Sequence, residues 1–466
     1  MADAPAIEAD ETDGPVAPPV TRWYAVIVLC VALLHSFADR LVINLVVDPI
    51  RADLSLTDVE ISLLQGAGFA VIFALAALPC GRLADSVNRR NLVAVGLVVW
   101  SAATIACGLA SDFWSFLAAR IAVGLGEAAL VPAASSLIID LFSPRRRGIA
   151  LGIFSLGATF GTGCALFGGG LVLSGIEAGW FRTVPGFGAL VPWRQLMIVI
   201  GIPGVLLLPF VLVVVEPVRR HTAGLLAVLD VIRRLVADNG RVLRVCLVKG
   251  ALSAGDYGLI SWLPTLLRRN YGMTALEAGS MVAGAITVSG LVASLLGGAI
   301  SDWLVRRWGT RSRAATLLGC YALTLCGAVA FLVVDRSELV ALAFAVWALG
   351  SISGYVVGHV VMQENVPNEM RATTIALSLT ITALLGIGLG PTLVPLVARH
   401  GFGREAALQS AMGVVSLLAA LLAFVVIWPV IRTSVSALGG HAVGRVSISA
   451  RARRRSPVEK PSSKRP

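Results

Sequence analysis

The stretch GRLADSVNRR, Gly81–Arg90, is echoed by GAISDWLVRR, Gly298–Arg307, with Gly, Asp and two Arg at matching offsets. Each follows an apolar run of about 20 residues, the length that crosses a ~30 Å hydrocarbon core. A second echo sets Asp140 and Arg147 against Glu364 and Arg371, again seven apart. Two copies of a charged loop after equivalent apolar spans describe a membrane chain built from two related halves. Apolar runs recur about twelve times, near residues 23–47, 59–80, 91–110, 113–140, 148–173, 194–215, 242–268, 277–300, 314–334, 338–366, 372–398 and 406–431. The expected architecture is therefore an all-α membrane protein of twelve transmembrane helices in two six-helix pseudo-symmetric halves.

Composition agrees. Of the 466 residues, 57% are hydrophobic and only 14% charged, and the mean hydropathy is +0.84; ordinary soluble domains carry about 25% charge. The net charge of +11 would suggest nucleic acid in a soluble protein, but here much of it lies in short loops and in the tail RARRRSPVEKPSSKRP. That placement reads as topology and contact with membrane lipids, with no nucleic-acid module behind it. Arginines crowd the even-numbered loops, so the positive-inside rule puts both termini in the cytoplasm of a bacterial-type inner (plasma) membrane. The expected segments are a disordered N-terminal tail (1–21), a six-helix half (22–216), a cytoplasmic amphipathic linker (217–241), a second six-helix half (242–432) and a basic C-terminal tail (433–466). The seven cysteines sit in apolar spans without metal or redox spacing, so no disulfide framework, metal or cofactor is expected. No nucleophile motif or phosphate loop supports an enzyme.

Two repeats of six helices around a polar site, rocking against each other, form the general plan of a secondary transporter. In that plan the paired loops form a cytoplasmic gate: Gly81, Asp85, Arg89, Arg90, Asp140 and Arg147 in the first half, and Gly298, Asp302, Arg306, Arg307, Glu364 and Arg371 in the second. The glycines would let helices approach closely, and the arginines would clasp acids, helix ends or lipid phosphates. The alternative is a static set of positively charged turns.

The doubled G-x-x-x-D-x-x-x-R-R loop resembles the hallmark of the major facilitator superfamily. Three further stretches resemble its spinster-like branch: the pair Asp39–Arg40 followed by LLQGAGFAVIFALAALPCGRLAD; RIAVGLGEAALVPAASSLIIDLFSPRRRGIALGIFSLGATFGTG from Arg120; and WLPTLLRRNYGM from Trp262. The resemblance implies coupled movement of an amphiphilic, lipid-like substrate such as a lysophospholipid or sphingoid-type lipid, by a protein expected to be a monomer. The chain departs from the pattern in having Ser36 where the family usually has Asn, and in a longer loop over residues 174–193, either a cover or a tolerated insertion. A DR pair and a fourth-span Arg followed by Glu also occur in organic-anion and sugar-acid carriers of the superfamily. A multidrug carrier and a transport-dead membrane sensor remain open alternatives.

In such a fold the first and fourth spans face the cavity. Counting 1.5 Å per residue puts Asp39 level with Arg120, and Glu127 two turns further along the same face. His35 lies one turn from Asp39. An acid that exchanges partners between conformations can load and release a proton, so Asp39 and Glu127, with His35 as an optional relay, are the candidate proton-coupling sites. Arg40 and Arg120 are candidates for pairing with those acids or with an anionic head group, since guanidinium binds carboxylate or phosphate bidentately. The opposite reading is a permanent ion-pair network. In the second half Asp256, Tyr257 and His359 are candidate substrate contacts, with Lys249 and Gln363 nearby.

Overall fold

The computed structural model of the chain describes residues 18–217, 233, 240–309, 312–366, 368–403 and 407–429. Most of the expected N-terminal tail, nearly all of the linker and the basic C-terminal tail lie outside the described residues, as do the side chains of Asp85 and Arg371; the first helix starts at Pro19, inside the tail expected to end at residue 21. Every described element is helical. Eleven helical segments are long and apolar enough to cross a membrane, from Pro19–Leu45 to Leu408–Pro429. Of the expected spans, the seventh is the exception: the helix Gly240–Tyr271 is 32 residues long, but Lys249 and Asp256 in its middle lower its hydropathy.

Local sequence explains where the helices begin. Thr57 and Glu60 form a reciprocal capping box at the start of the second span. Thr274 and Glu277 make the same contacts at the start of the eighth: the Thr274 amide donates to Glu277 Oε2 (2.8 Å) and the Glu277 amide to Thr274 Oγ1 (3.2 Å). The two boxes are 217 positions apart, the offset that also separates Gly81 from Gly298. The internal repeat thus extends back to the span starts. Asp112 caps the helix Phe113–Glu127 through the Ser115 and Trp114 amides, which hold its exposed carboxyl below the usual range.

The helices break where polar residues are needed. The first α-helix ends at Leu41 and tightens into a 3₁₀ turn over Val42–Leu45, just after Asp39 and Arg40. The fourth span is split into Phe113–Glu127 and Leu130–Leu141, because Pro132 has no N–H and its ring clashes with the carbonyl of Ala128. Glu127 is therefore the last residue of a helix. Glycine-bearing π-turns interrupt three other spans at Leu63–Ala67, Cys164–Gly168 and Ala383–Leu389, and such turns free backbone carbonyls for other donors.

Packing divides the chain into two compact units. The first holds the described residues of Met1–Leu226 with Tyr257–Thr287 and Ala383–Met412. Its core joins Leu29, Leu33, Phe69, Leu97, Trp100, Val123 and Leu137. At one crossing, a Cβ on Gly126 would come within 2.7 Å of the Trp100 amide nitrogen and 2.8 Å of Gly96 O. Only glycine allows the third and fourth spans to meet there, and the crossing sets the position of Glu127. The second unit holds the described residues of Ala227–Asp256, Val288–Thr382 and the chain from Gly413, with Trp347, Tyr321 and Phe344 among its buried side chains.

Candidate functional site

The first unit buries the two acids and two arginines that the sequence singled out in the first and fourth spans. Asp39 and Glu127 are each 1% exposed, and Arg40 and Arg120 are also buried. Burying a charge costs several kcal/mol unless it is paired, so the pairing pattern decides their roles. Arg40 Nη2 donates to Glu127 Oε2 at 2.5 Å, and Ser36 Oγ donates to the same oxygen at 2.7 Å. Ser36, the departure from the family pattern, is thus a second donor to Glu127. The Arg40 guanidinium lies over the rings of Phe69 (4.3 Å), Phe37 (4.7 Å) and Phe73 (5.4 Å), which supply cation–π attraction. Tyr257 adds a hydrogen-bonding partner to Arg40.

Among the described residues Arg120 makes no such ion pair. Its Nε donates to Leu64 O at 2.9 Å, and Nη2 reaches Arg40 O at 3.5 Å. The Leu64 carbonyl belongs to a π-turn, so the helix distortion provides the acceptor. Asp39 takes its hydrogen bond from Thr104 Oγ1 at 3.2 Å, while Oδ1 has no hydrogen-bond partner among the described residues; nor has Glu127 Oε1. Two buried acids thus share a neighbourhood with two arginines, but only Glu127 is held by a guanidinium.

His35 is engaged on both ring nitrogens. Trp100 Nε1–H donates to Nδ1 at 3.2 Å, and Nε2 lies 3.1 Å from Ile200 O. Those partners assign the proton to Nε2. Asp39 Oδ2 lies 3.4 Å from Nδ1, so the acid and the imidazole are neighbours, as their spacing of four predicts.

The proposed gate residues fall into two clusters, one in each unit. In the first, Arg89 donates to Asp140 Oδ2 (2.5 Å), Glu216 Oε1 (2.7 Å) and Ser136 Oγ (3.0 Å). Arg90 bonds Asn91, Leu212 O and, through its amide, Glu216. Arg147 caps the carbonyls of Ile139 and Phe142. In the second, Arg313 donates to Asp302 (3.2 Å), Ser301 (3.0 Å) and Glu364 (3.1 Å to Oε1). Among the described residues Arg306 bonds the Asp302 carbonyl, and Arg307 is exposed.

Arg313, which sequence reading left unassigned, stands 224 positions after Arg89, as Glu364 does after Asp140. The repeat offset lengthens by seven after the loop, and both arginines open the following helix. Aligning helix starts instead of the RR pairs would have found Arg313. The glycines differ from expectation: a Cβ on Gly81 would meet open space, and one on Gly298 only Val356 at 3.9 Å. Close helix approach is not their role in this conformation.

The second-half candidates separate. Asp256 accepts from Trp347 Nε1 (2.7 Å) and Ser351 Oγ (2.9 Å), so both carboxyl oxygens are used within its own unit. His359 is half-buried and faces Lys249. Tyr257 packs against the core of the first unit. Sequence reading also missed Arg269, which donates to Asp48 Oδ1 (2.6 Å) and to both oxygens of buried Asp58 (2.8 Å each). A neighbouring ion pair joins Arg194 to Asp53 at 2.9 Å. Among the described residues no cluster of His, Cys, Asp or Glu is placed to hold a metal ion.

Comparison with known proteins gives this arrangement a family. An MFS-type efflux pump of Mycolicibacterium smegmatis (strain ATCC 700084 / mc(2)155) is 29% identical over 84% of this chain and 88% of its own length. A probable galactarate/D-glucarate transporter of Escherichia coli (strain K12) is 23% identical over 90% of this chain and 96% of its own. The crystal structure of a bacterial homologue of the human lysosomal transporter Spinster, inward-facing and unoccupied, superposes with a TM-score of 0.73 at 25% identity, covering 90% of this chain and 98% of that one. The family model described as Major Facilitator Superfamily matches residues 28–391. With its helices, repeated loops and buried charges, the chain belongs to the Major Facilitator Superfamily of membrane transporters.

Proposed function

We propose that this transporter works by alternating access, moves an amphiphilic, lipid-like substrate and couples that movement to protons. The observation that carries the proton coupling is the unequal pairing of two buried acids. Glu127 is held by Arg40 and Ser36, whereas Asp39, equally buried, has a hydroxyl and an imidazole beside it and, among the described residues, no guanidinium in hydrogen-bonding contact. An ionised carboxylate in that setting is costly, and a bound proton removes the cost. In this reading Asp39 carries the proton in the conformation described, Glu127 is the emptied site, and Arg40 is the partner exchanged when the transporter turns over. His35, engaged at both nitrogens, orients Asp39 and relays only if one of those bonds opens.

The lipid-like substrate is inferred from the likeness to the spinster branch. A specific observation also favours a second reading, an organic-anion or drug carrier: two of the relatives are named as an efflux pump and a probable sugar-acid transporter. The two halves, 22–216 and 242–432, would rock around the site with both termini cytoplasmic, the protein acting as a monomer. The test is uptake of a radiolabelled lysophospholipid by the purified protein in vesicles, with and without a pH gradient, against unlabelled glucarate and a hydrophobic drug as competitors. Gradient-stimulated lipid uptake that is lost in Asp39→Asn is expected. Uptake indifferent to the gradient overturns proton coupling, and competition by glucarate alone selects the organic-anion reading.

A further inference from the structure

We infer that the second unit contains an anion-binding subsite formed by Lys249 and His359 beside the Tyr355 ring, suited to a phosphate or carboxylate group of the substrate. Lys249 is 7% exposed, and its ammonium lies 5.6 Å from the Tyr355 ring centroid. Its stem runs along the helix Ser337–Glu364 at Gly358, where a Cβ would stand 4.0 Å from Lys249 Cδ. The Tyr355 hydroxyl donates to Lys249 O at 2.8 Å, which ties the two helices together at this point. His359 follows Tyr355 by four positions on the same helix face and is close enough to Lys249 to interact electrostatically.

No acid among the described residues forms an ion pair with the lysine. Among the described residues its electrostatic neighbours are Cys246 and His359. Of the unit's described carboxyls, Asp256 accepts from Trp347 and Ser351 and has Tyr355 as a further hydrogen-bonding partner, and Asp302 and Glu364 accept from Arg313. A buried ammonium has three donors and no acceptor of its own, and an aromatic face attracts it without supplying a counter-charge. Buried charges are normally paired or bind an ion. An oxyanion accepting from Lys249 and His359 would complete the site, with Tyr355 as its wall. The first unit differs, since its buried arginines Arg40 and Arg120 have the buried acids Asp39 and Glu127 beside them. The subsite gives the proposed substrate its charge and rests on that reading.

The test uses the full-length purified protein in detergent, with binding followed by calorimetry. The probes are lysophosphatidic acid, the monoacylglycerol of the same chain length and inorganic phosphate. The variants are Lys249→Met, Lys249→Arg and His359→Gln. A charge-assisted hydrogen bond corresponds to about tenfold or more in affinity. The wild type is expected to prefer lysophosphatidic acid to monoacylglycerol by at least about that factor. Lys249→Met should abolish the preference without weakening monoacylglycerol binding, Lys249→Arg should retain most of it, and His359→Gln should reduce it. Phosphate that displaces the lipid identifies a free-anion site, and phosphate that does not identifies a lipid head-group site. Equal preference in wild type and Lys249→Met overturns the subsite, as does a wild type without preference. Should Lys249→Met not fold, an unchanged preference in His359→Gln overturns it instead. A wild type that binds phosphate but neither lipid contradicts the amphiphile reading, and loss of phosphate binding in Lys249→Met would still uphold the subsite.

Discussion

Replacing Glu127 by leucine leaves the Arg40 guanidinium buried among Phe37, Phe69 and Phe73 without its carboxylate. Breaking a buried ion pair by removing one partner costs about 3–5 kcal/mol, because the surviving charge is uncompensated. At about 2.1 cal/mol/K of unfolding entropy per residue, a chain of this length has an entropy near 1 kcal/mol/K, so the midpoint should fall by about 3–5 °C. Arg40→Met should cost a comparable amount, since it leaves the Glu127 carboxylate unpaired. The double variant Arg40→Met/Glu127→Leu removes both charges and puts a flexible apolar side chain among the phenylalanines. Replacing a whole buried pair by apolar groups is often neutral or stabilising, so the double variant should recover to within about 1 kcal/mol of wild type or exceed it. Thermal unfolding of the four proteins in one detergent measures this, and vesicle uptake should be lost in all three variants. A double variant no more stable than either single one would refute the claim that Arg40 and Glu127 compensate each other as a buried ion pair.

Gly161→Leu should stop turnover: even the first side-chain carbon would sit 2.5 Å from Leu34 O and 2.7 Å from Phe37 Cβ, displacing the helix that carries Asp39, at a cost of about 1–3 kcal/mol. Uptake at the wild-type rate by a folded Gly161→Leu protein would contradict this. Arg269→Gln and Asp58→Asn should each lower the thermal midpoint, with a coupling of about 1.5–3 kcal/mol in a double-mutant cycle for a charge-assisted contact; additive effects would show that the contact contributes nothing. Asp256→Asn keeps an acceptor for Trp347 and should cost about 0.5–1.5 kcal/mol while preserving the pH dependence of uptake. A folded variant without that dependence would place Asp256 in the proton path.

The spans, their repeat and the buried charges were legible because each rests on local composition and spacing. Asp39, Arg40, Arg120 and Glu127 stand out as charges in apolar runs, and helical rise puts them close together. Which acid meets which arginine was not legible. That depends on a helix crossing at Gly126 and Gly96, on the break before Pro132 and on a π-turn that aims Leu64 O at Arg120. Ser36 looked like a loss relative to the family pattern, yet its hydroxyl donates to Glu127. Arg269 read as one of two arginines at a span end, since its partners Asp48 and Asp58 lie more than 200 positions away. Lys249 was legible as one of three polar candidates in span seven, with no role of its own. Its isolation from carboxylates emerges only when Asp256 and Glu364 are seen to be engaged by other groups.

The central claim is that substrate movement carries a proton held at Asp39. The most direct measurement is substrate-driven acidification or alkalinisation of vesicles containing the purified protein, read with an internal pH dye and no imposed gradient. Adding lysophospholipid should move protons through the wild type and not through Asp39→Asn, while Asp39→Asn still binds the lipid. Proton movement of wild-type size in folded Asp39→Asn, or lipid transport by the wild type with no proton movement, would contradict the account.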